Sequence, residues 1–112
     1  MMTFRKGDIV LVEFIFSEGR GWKKRPALII SSDKYNSKRQ EVIVAAVTSN
    51  IERILPGDTK LGQWKKAGLL FQSAVVAILQ TIKKGKIIKK LGFLSEKDLL
   101  QVEKNIGKIL GY

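Results

Sequence analysis

The side chains of this sequence that could carry out chemistry are those of arginine, lysine, the hydroxyl residues and a few acids, because its 112 residues include no histidine and no cysteine. Their absence removes the most common general base, the most common zinc ligand and every thiol nucleophile, which excludes most hydrolase and metalloenzyme sites. Only ten residues are acidic, and no two have the spacing of a paired-carboxylate or two-metal site. The sequence also lacks a GxSxG motif and a phosphate-binding glycine loop.

One hydroxyl pair lies where a strand is predicted to end. Thr48-Ser49 follows the apolar run Glu41–Val47 and precedes Asn50. Hydroxyl groups in that position can face a ligand, but Thr-Ser-Asn is also an ordinary strand-ending turn. The spacing alone does not choose between these two interpretations.

The charge distribution indicates an anionic partner. The chain has 21 Lys and Arg against 10 Asp and Glu, a net charge of +11, and the stretch from Thr59 to Ser95 contains eight lysines and no acid. A second basic stretch, Gly19–Arg25, surrounds Trp22, and cations beside an aromatic ring suit single-stranded nucleic acid. A lysine-rich solvated surface of a heat-adapted protein is the alternative. The predicted RNA-binding residues are Gly19, Arg20, Trp22, Lys23, Lys24, Ser49 and Gln80.

Apolar runs rich in β-branched residues predict five to seven short strands. The clearest are Asp8–Phe16, Arg25–Ser32, Glu41–Val47 and Ala74–Ile82, and weaker signals occur in Thr59–Lys66, Leu69–Phe71 and Ile87-Ile88. Ser17–Lys24 is predicted to be a loop between the first two strands, and Asp33–Gln40 a charged turn.

The chain is predicted to close with one amphipathic helix. Ser95-x-x-Asp98 has the form of a capping box, and Gly111 is placed to end the helix. Between them, four apolar residues recur at spacings of three and four: Leu99, Val102, Ile106 and Ile109. The fold class is therefore mainly β, a small, strongly bent antiparallel barrel with a C-terminal helix packed on it, in a single domain over residues 1–112.

Neither a membrane span nor a signal peptide is expected. Apolar stretches such as Ala74–Leu79 are far shorter than the roughly 20 residues needed to cross a bilayer. The N-terminal residues carry charge without a following apolar segment. The expected location is cytoplasmic, with no membrane association.

Several strings of this sequence, in order along nearly the whole chain, resemble the signatures of MazF/PemK toxins. The most specific is the Arg-Pro-Ala block after a basic loop. The strings are Gly7-Asp8-Ile9-Val10-Leu11-Val12, Lys24-Arg25-Pro26-Ala27-Leu28-Ile29-Ile30-Ser31, Asp33-x-Tyr35-Asn36, Val42-Ile43-Val44-Ala45-Ala46-Val47-Thr48-Ser49 and Ile88-Lys89-Lys90-Leu91-Gly92-x-Leu94-Ser95.

The resemblance implies a metal-independent endoribonuclease without a cofactor, the toxin of a toxin–antitoxin pair. It implies an SH3-like barrel with a terminal helix, which forms a homodimer, binds single-stranded RNA in a groove across the dimer beside the Ser17–Lys24 loop, and is neutralised by an acidic antitoxin protein. The family's catalytic arginine and threonine fall on Arg25 and Thr48.

The residue chemistry is consistent with that implication. RNA carries its own nucleophile, the 2′-hydroxyl, so the protein needs only to position it, move protons and stabilise the crowded phosphorane. Arg25 can offer a planar fork to two phosphate oxygens, and Thr48 can donate a hydrogen bond to the same phosphate. Ser49 beside it can hold the backbone or a flanking nucleotide. The expected products are a 2′,3′-cyclic phosphate and a 5′-hydroxyl.

The sequence departs from the family pattern in two places. Ala46 stands where a proline is usual. Family members often carry an acid on the strand equivalent to Val75–Gln80, whereas this strand has Ala77 and no carboxylate. Two other functions are consistent with the same fold, a non-catalytic gyrase poison like CcdB and an SH3-like RNA-binding module. The combination of Arg25-Pro26 and Thr48-Ser49 favours the nuclease.

Overall fold

The computed structural model describes residues 2–15 and 22–112, which form six strands and two helices. The strands are β1 (Asp8–Ile15), β2 (Trp22–Ile29), β3 (Glu41–Thr48), β4 (Thr59–Lys60), β5 (Ala74–Lys83) and β6 (Ile87–Phe93). The helices are α1 (Asp33–Lys38) and α2 (Glu96–Ile109), and a 3₁₀ turn, Lys84–Lys86, joins β5 to β6. Neither helix of this described part is long and apolar enough to cross a membrane.

The strands form one sheet in the order β4-β5-β3-β2-β1-β6, with all neighbours antiparallel. The sheet curls on itself. Two strands separate β1 from β5 in the sheet, yet Val12 and Phe14 of β1 line one cleft together with Gln80 and Ile82 of β5. The prediction of a mainly β fold with a C-terminal helix is confirmed, and the curled sheet agrees with the SH3-like barrel.

Both faces of the central strands are buried, which explains why β1 reads as a continuous apolar run. Ile9 belongs to a core that also takes Val102 and Ile106 from α2, whereas its neighbour Val10 belongs to a second core with Phe4. Successive residues of a strand point to opposite faces, so one strand supplies both cores. The sheet is therefore held rigidly from two sides.

The predicted turn at Asp33–Gln40 is wrong in part, since Asp33–Lys38 forms the helix α1. Ser32 begins it by accepting a hydrogen bond from the Tyr35 backbone N–H at 3.1 Å. Asn36 is 2% exposed, and its side-chain amide donates to the Ser31 carbonyl at 3.1 Å and to the Phe4 carbonyl at 3.4 Å. Asn36 of the Asp33-x-Tyr35-Asn36 string thus connects the N-terminal residues to the chain that follows β2.

Other element boundaries also differ from the prediction. Strand β2 begins at Trp22, so Trp22–Lys24 are not part of a loop. Cross-strand partners in β1 extend the hairpin: Lys24 pairs with Glu13 and Lys23 with Phe14. No strand forms at Leu69–Phe71, and β6 runs through Phe93 rather than ending at Ile88. Phe16 and Ser17–Gly21 lie outside the described residues.

The predicted helix α2 is confirmed with both of its ends. The Ser95 hydroxyl accepts from the Asp98 backbone N–H at 3.2 Å. At the other end Gly111 has a φ of +89°, and the Tyr112 N–H donates to the Gly107 carbonyl at 2.8 Å, as in a Schellman motif. Asp98 does not complete the capping box, because its carboxylate is used elsewhere.

Candidate active site

Arg25 and Thr48 lie on neighbouring strands in positions that bring them together. In the pairing of β2 with β3, Ala27 is opposite Ala46. The pairing ends there, and Arg25 and Thr48 each lie two residues beyond that pair, towards the same end of the two strands. The pairing of β2 with β3 therefore brings to one end of the sheet two residues that are 23 positions apart in sequence.

Both residues line one cleft of about 660 Å³. Its lining includes the cations Arg25 and Lys89 and the hydroxyl residues Thr48, Ser49 and Ser73. The rest of the lining is apolar or glycine: Leu11, Pro26, Val47, Gly68, Leu69, Leu70, Phe71 and Leu91. The cleft thus combines positive charge, hydrogen-bond donors and an apolar wall, and no carboxylate of residues 2–15 or 22–112 lines it.

The two cations of the cleft are available to a ligand. Within residues 2–15 and 22–112, neither the Arg25 guanidinium nor the Lys89 ammonium takes part in an ion pair or a hydrogen bond. The adjacent Lys90 differs, because it pairs with Asp8 at 3.2 Å. Alternation along β6 sends these two lysines to opposite faces, and Lys89 is opposite Leu11, itself a cleft residue.

Thr48 is held in place by the backbone that follows it. Its Oγ1 accepts a hydrogen bond from the Asn50 N–H at 3.1 Å, which closes the turn after β3. This contact uses a lone pair and leaves the hydroxyl hydrogen to be donated into the cleft. The turn interpretation of Thr48-Ser49 is therefore confirmed, and the same turn holds the Thr48 hydroxyl that lines the cleft.

The far wall of the cleft comes from residues 67–73, which the sequence analysis did not assign to a site. Gly68 has a φ of +85°, and a Cβ there would lie 2.0 Å from the Leu91 carbonyl oxygen. A Cβ on Gly92 would likewise lie 2.4 Å from the Ala67 carbonyl oxygen. Because both residues lack a side chain, the backbone of this segment packs directly on β6 beside Lys89.

Asp98 holds Gly62 and Gln63, which lie just before this segment in the chain. Asp98 is 8% exposed, and its carboxylate accepts hydrogen bonds from the backbone N–H groups of Gly62 at 3.1 Å and Gln63 at 2.9 Å. The sequence signal for Asp98 was only its place in the first turn of α2. Nothing local predicts a contact 35 residues away along the chain.

Of the other predicted RNA-binding residues, Lys23, Lys24 and Gln80 do not line this cleft. Lys23 and Lys24 are exposed on β2. Trp22 begins that strand. Gly19 and Arg20 lie outside the described residues. Gln80 lines a separate, open cleft of about 360 Å³ between β1 and β5, together with Glu13 and Lys86.

Strand β5 contains no acidic residue, at Ala77 or elsewhere. The Ala77 backbone N–H donates to Asp58 Oδ1 at 2.9 Å, and the other oxygen of Asp58 accepts from the Leu55 N–H at 3.0 Å. That carboxylate therefore anchors a turn. In the described part of the chain, no three acidic side chains group closely enough to hold a metal ion.

Comparison with known proteins connects this arrangement to a family. Residues 5–110 match the sequence model of the PemK-like, MazF-like toxins of type II toxin–antitoxin systems. The chain is 31% identical to the endoribonuclease MazF of Staphylococcus epidermidis over 96% of its own length and 91% of that protein. It is 30% identical to the endoribonuclease MazF of Staphylococcus saprophyticus, with the same coverage of both chains.

Solved structures share the fold at lower identity. A MazE–MazF crystal structure from Deinococcus radiodurans superposes with a TM-score of 0.82 at 20% identity, covering 99% of this chain and 98% of that one. A mycobacterial endoribonuclease in complex with its cognate antitoxin superposes with a TM-score of 0.77 at 18% identity, covering 96% and 95%. The curled sheet with its C-terminal helix is therefore a known architecture.

Proposed function

The chain belongs to the PemK/MazF family of toxins of type II toxin–antitoxin systems, and we propose that it is an endoribonuclease that cleaves single-stranded RNA, including mRNA, in the cleft between Arg25 and Thr48. The observation that carries this proposal is the cleft itself. Among the described residues, one guanidinium and one ammonium without an ion pair and one oriented hydroxyl line the same space, and no carboxylate lines it to repel a phosphate.

The proposed reaction uses the 2′-hydroxyl of the RNA as nucleophile. It loses its proton to solvent and attacks the adjacent phosphorus, the bond from phosphorus to the 5′-oxygen of the next nucleotide breaks, and that oxygen takes up a proton from solvent. The products are a 2′,3′-cyclic phosphate and a 5′-hydroxyl. The fork of Arg25 stabilises the charge that builds on the non-bridging oxygens, and Thr48 donates a hydrogen bond to the same phosphate. Neither role requires a metal ion or a cofactor. Lys89 adds positive charge to the cleft.

We further propose that an acidic antitoxin inhibits the chain by occupying this cleft. A surface with a net charge of +11 attracts an acidic peptide as it attracts RNA, so the two compete for the same cations. Residues that bind both ligands cannot hold them at once. An mRNA substrate also places the protein in the cytoplasm.

The test is an RNA cleavage assay in EDTA, with and without the antitoxin. We expect the purified chain to cut single-stranded RNA at an unchanged rate after chelation, and the antitoxin to abolish both cleavage and RNA binding. Cleavage lost in EDTA would contradict the metal-independent reaction. A complex that holds RNA and antitoxin together at full affinity would contradict the shared cleft, and an antitoxin-free chain that cuts no RNA would favour a gyrase poison or a binding module.

A second copy of the chain is the partner we propose for an apolar patch formed by Ile54, Leu55, Ala77, Leu79 and Ile109. Ala77 and Ile109 meet at Gly57, since a Cβ there would lie 2.8 Å from Ala77 and 3.1 Å from Ile109. Ile54 and Leu55 precede Gly57 closely in the chain, and Leu79 follows Ala77 by two positions on β5. Four of the five are between 36% and 48% exposed. Apolar groups gathered from a loop, a strand and a helix end are typical of a protein–protein interface.

Ile109→Asp is therefore expected to shift the protein from dimer to monomer, because it places a charge in the centre of the proposed interface. Sedimentation at micromolar concentration measures this directly, with the wild type at twice the 12.6 kDa monomer mass. Leu100→Asp is the matched control, since Leu100 is 71% exposed on the same helix but nine residues away, on the opposite side. A wild type that sediments only as monomer would refute the dimer.

A further inference from the structure

The wall of the active-site cleft presents two large apolar side chains to solvent. Leu70 is 84% exposed and Phe71 is 66% exposed, and both line the cleft that contains Arg25, Thr48 and Lys89. Neither contributes to a hydrophobic core. Exposed aromatic residues beside a charged cleft point to a ligand that is apolar on one side and anionic on the other.

The backbone that carries Phe71 is fixed at several points. Leu69 is buried in the core shared with α2. The Ser73 hydroxyl donates to the Phe71 carbonyl at 2.8 Å. Together with the close approach of Gly68 to Leu91, these contacts hold the segment against the sheet on both sides of Phe71. The ring is therefore presented by a constrained backbone, which lowers the entropy lost when a ligand packs on it.

The polar groups of the cleft select the kind of ligand. A second copy of the chain, or an apolar peptide, would cover the Arg25 guanidinium and the Lys89 ammonium without supplying an anion, which costs desolvation energy. A nucleotide brings a phosphate and a planar base within one repeat of the RNA chain. Protein aromatic rings commonly stack on the unpaired bases of single-stranded RNA.

We propose that Phe71 is a base-stacking residue, which holds the nucleobase of a nucleotide next to the phosphate bound by Arg25 and Thr48. This inference rests on the proposed ribonuclease function and adds a contact that positions the substrate. Stacking tolerates every base, so Phe71 contributes affinity and alignment of the RNA, and it leaves sequence preference to other groups.

The experiment measures binding of an uncleavable RNA, with deoxyribose 5′ of the scissile phosphate, to the full-length chain. Phe71→Ala is expected to raise Kd about 5- to 150-fold, the range for loss of one base–aromatic stack, whereas Phe71→Tyr keeps the affinity. Phe93→Ala is the matched control, because Phe93 is 68% exposed and does not line the cleft. Thermal unfolding of each variant verifies that it is folded.

Replacing single nucleotides by abasic sites identifies the stacked base. One position is expected to weaken wild-type binding strongly and to have no further effect in Phe71→Ala, while every other position weakens both proteins alike. If wild type cleaves RNA but Phe71→Ala binds as Phe93→Ala does, the stacking role is refuted and the proposed function stands. If Phe71→Ala weakens binding of the antitoxin but not binding of RNA, the wall binds a peptide and the stacking role is refuted. A wild type that neither binds nor cleaves RNA refutes the proposed function itself.

Discussion

Arg25→Ala is expected to lower kcat for RNA cleavage by about 10²–10³-fold, the scale for removing one donor that stabilises transition-state charge. The reason is geometric as well as electrostatic. In the described structure the guanidinium has no competing partner and lines the same cleft as Thr48, so its fork is free to bind two phosphate oxygens. Single-turnover kinetics at saturating RNA measure the effect on the chemical step.

Two controls separate this role from charge alone. Arg25→Lys keeps a positive charge but loses the planar fork, and we expect it to recover only part of the rate. Lys104→Ala removes a cation from the exposed face of α2, outside the cleft, and should leave kcat within about twofold. Equal rates for Arg25→Ala and Lys104→Ala would contradict a catalytic role for Arg25.

Thr48 and Arg25 are expected to act as a unit. Because both residues line the cleft that is proposed to hold one phosphate, the double variant Arg25→Ala/Thr48→Ala should lose less rate than the product of the two single losses. Strictly multiplicative losses would indicate that the two residues contact different groups of the RNA.

A substrate with deoxyribose on the 5′ side of the scissile bond is expected to show no detectable cleavage. The reason is that the chain has no cysteine and no histidine, and among the described residues no carboxylate lines the cleft to activate the hydroxyl of Thr48. The 2′-hydroxyl of the RNA is the proposed nucleophile, so its removal ends the reaction.

The same substrate provides its own control, because the deoxy substitution can be placed one nucleotide away. We expect RNA with that displaced substitution to be cut, and mass spectrometry of the products to show a 2′,3′-cyclic phosphate and a 5′-hydroxyl. Cleavage of the deoxy substrate, or a 5′-phosphate on the product, would show that water or a protein group attacks and would refute the proposed reaction.

The kinds of chemistry open to this protein were determined by composition and local pattern. The lack of histidine and cysteine limits the possible catalytic groups, and the excess of lysine indicates an anionic partner, whatever the fold. The helix α2 was also predictable, because Ser95 and Gly111 act on their own backbone neighbours and the apolar spacing is local. The Arg-Pro-Ala block and Thr48 were identified from the family resemblance. A match of residue types along the chain can be recognised before the three-dimensional positions of those residues are known.

Tertiary structure decided which of these groups meet. Arg25 and Thr48 lie on adjacent strands and line one cleft together with Lys89, whereas the adjacent Lys90 pairs with Asp8. The wall that presents Phe71 shows no periodicity in the sequence; Gly68 packs it against β6, and Asp98 of α2 holds Gly62 and Gln63, which precede it. Such contacts join residues tens of positions apart through backbone groups. Because almost every residue carries a backbone N–H, and every glycine lacks a Cβ, the local sequence does not show which partner these groups will contact.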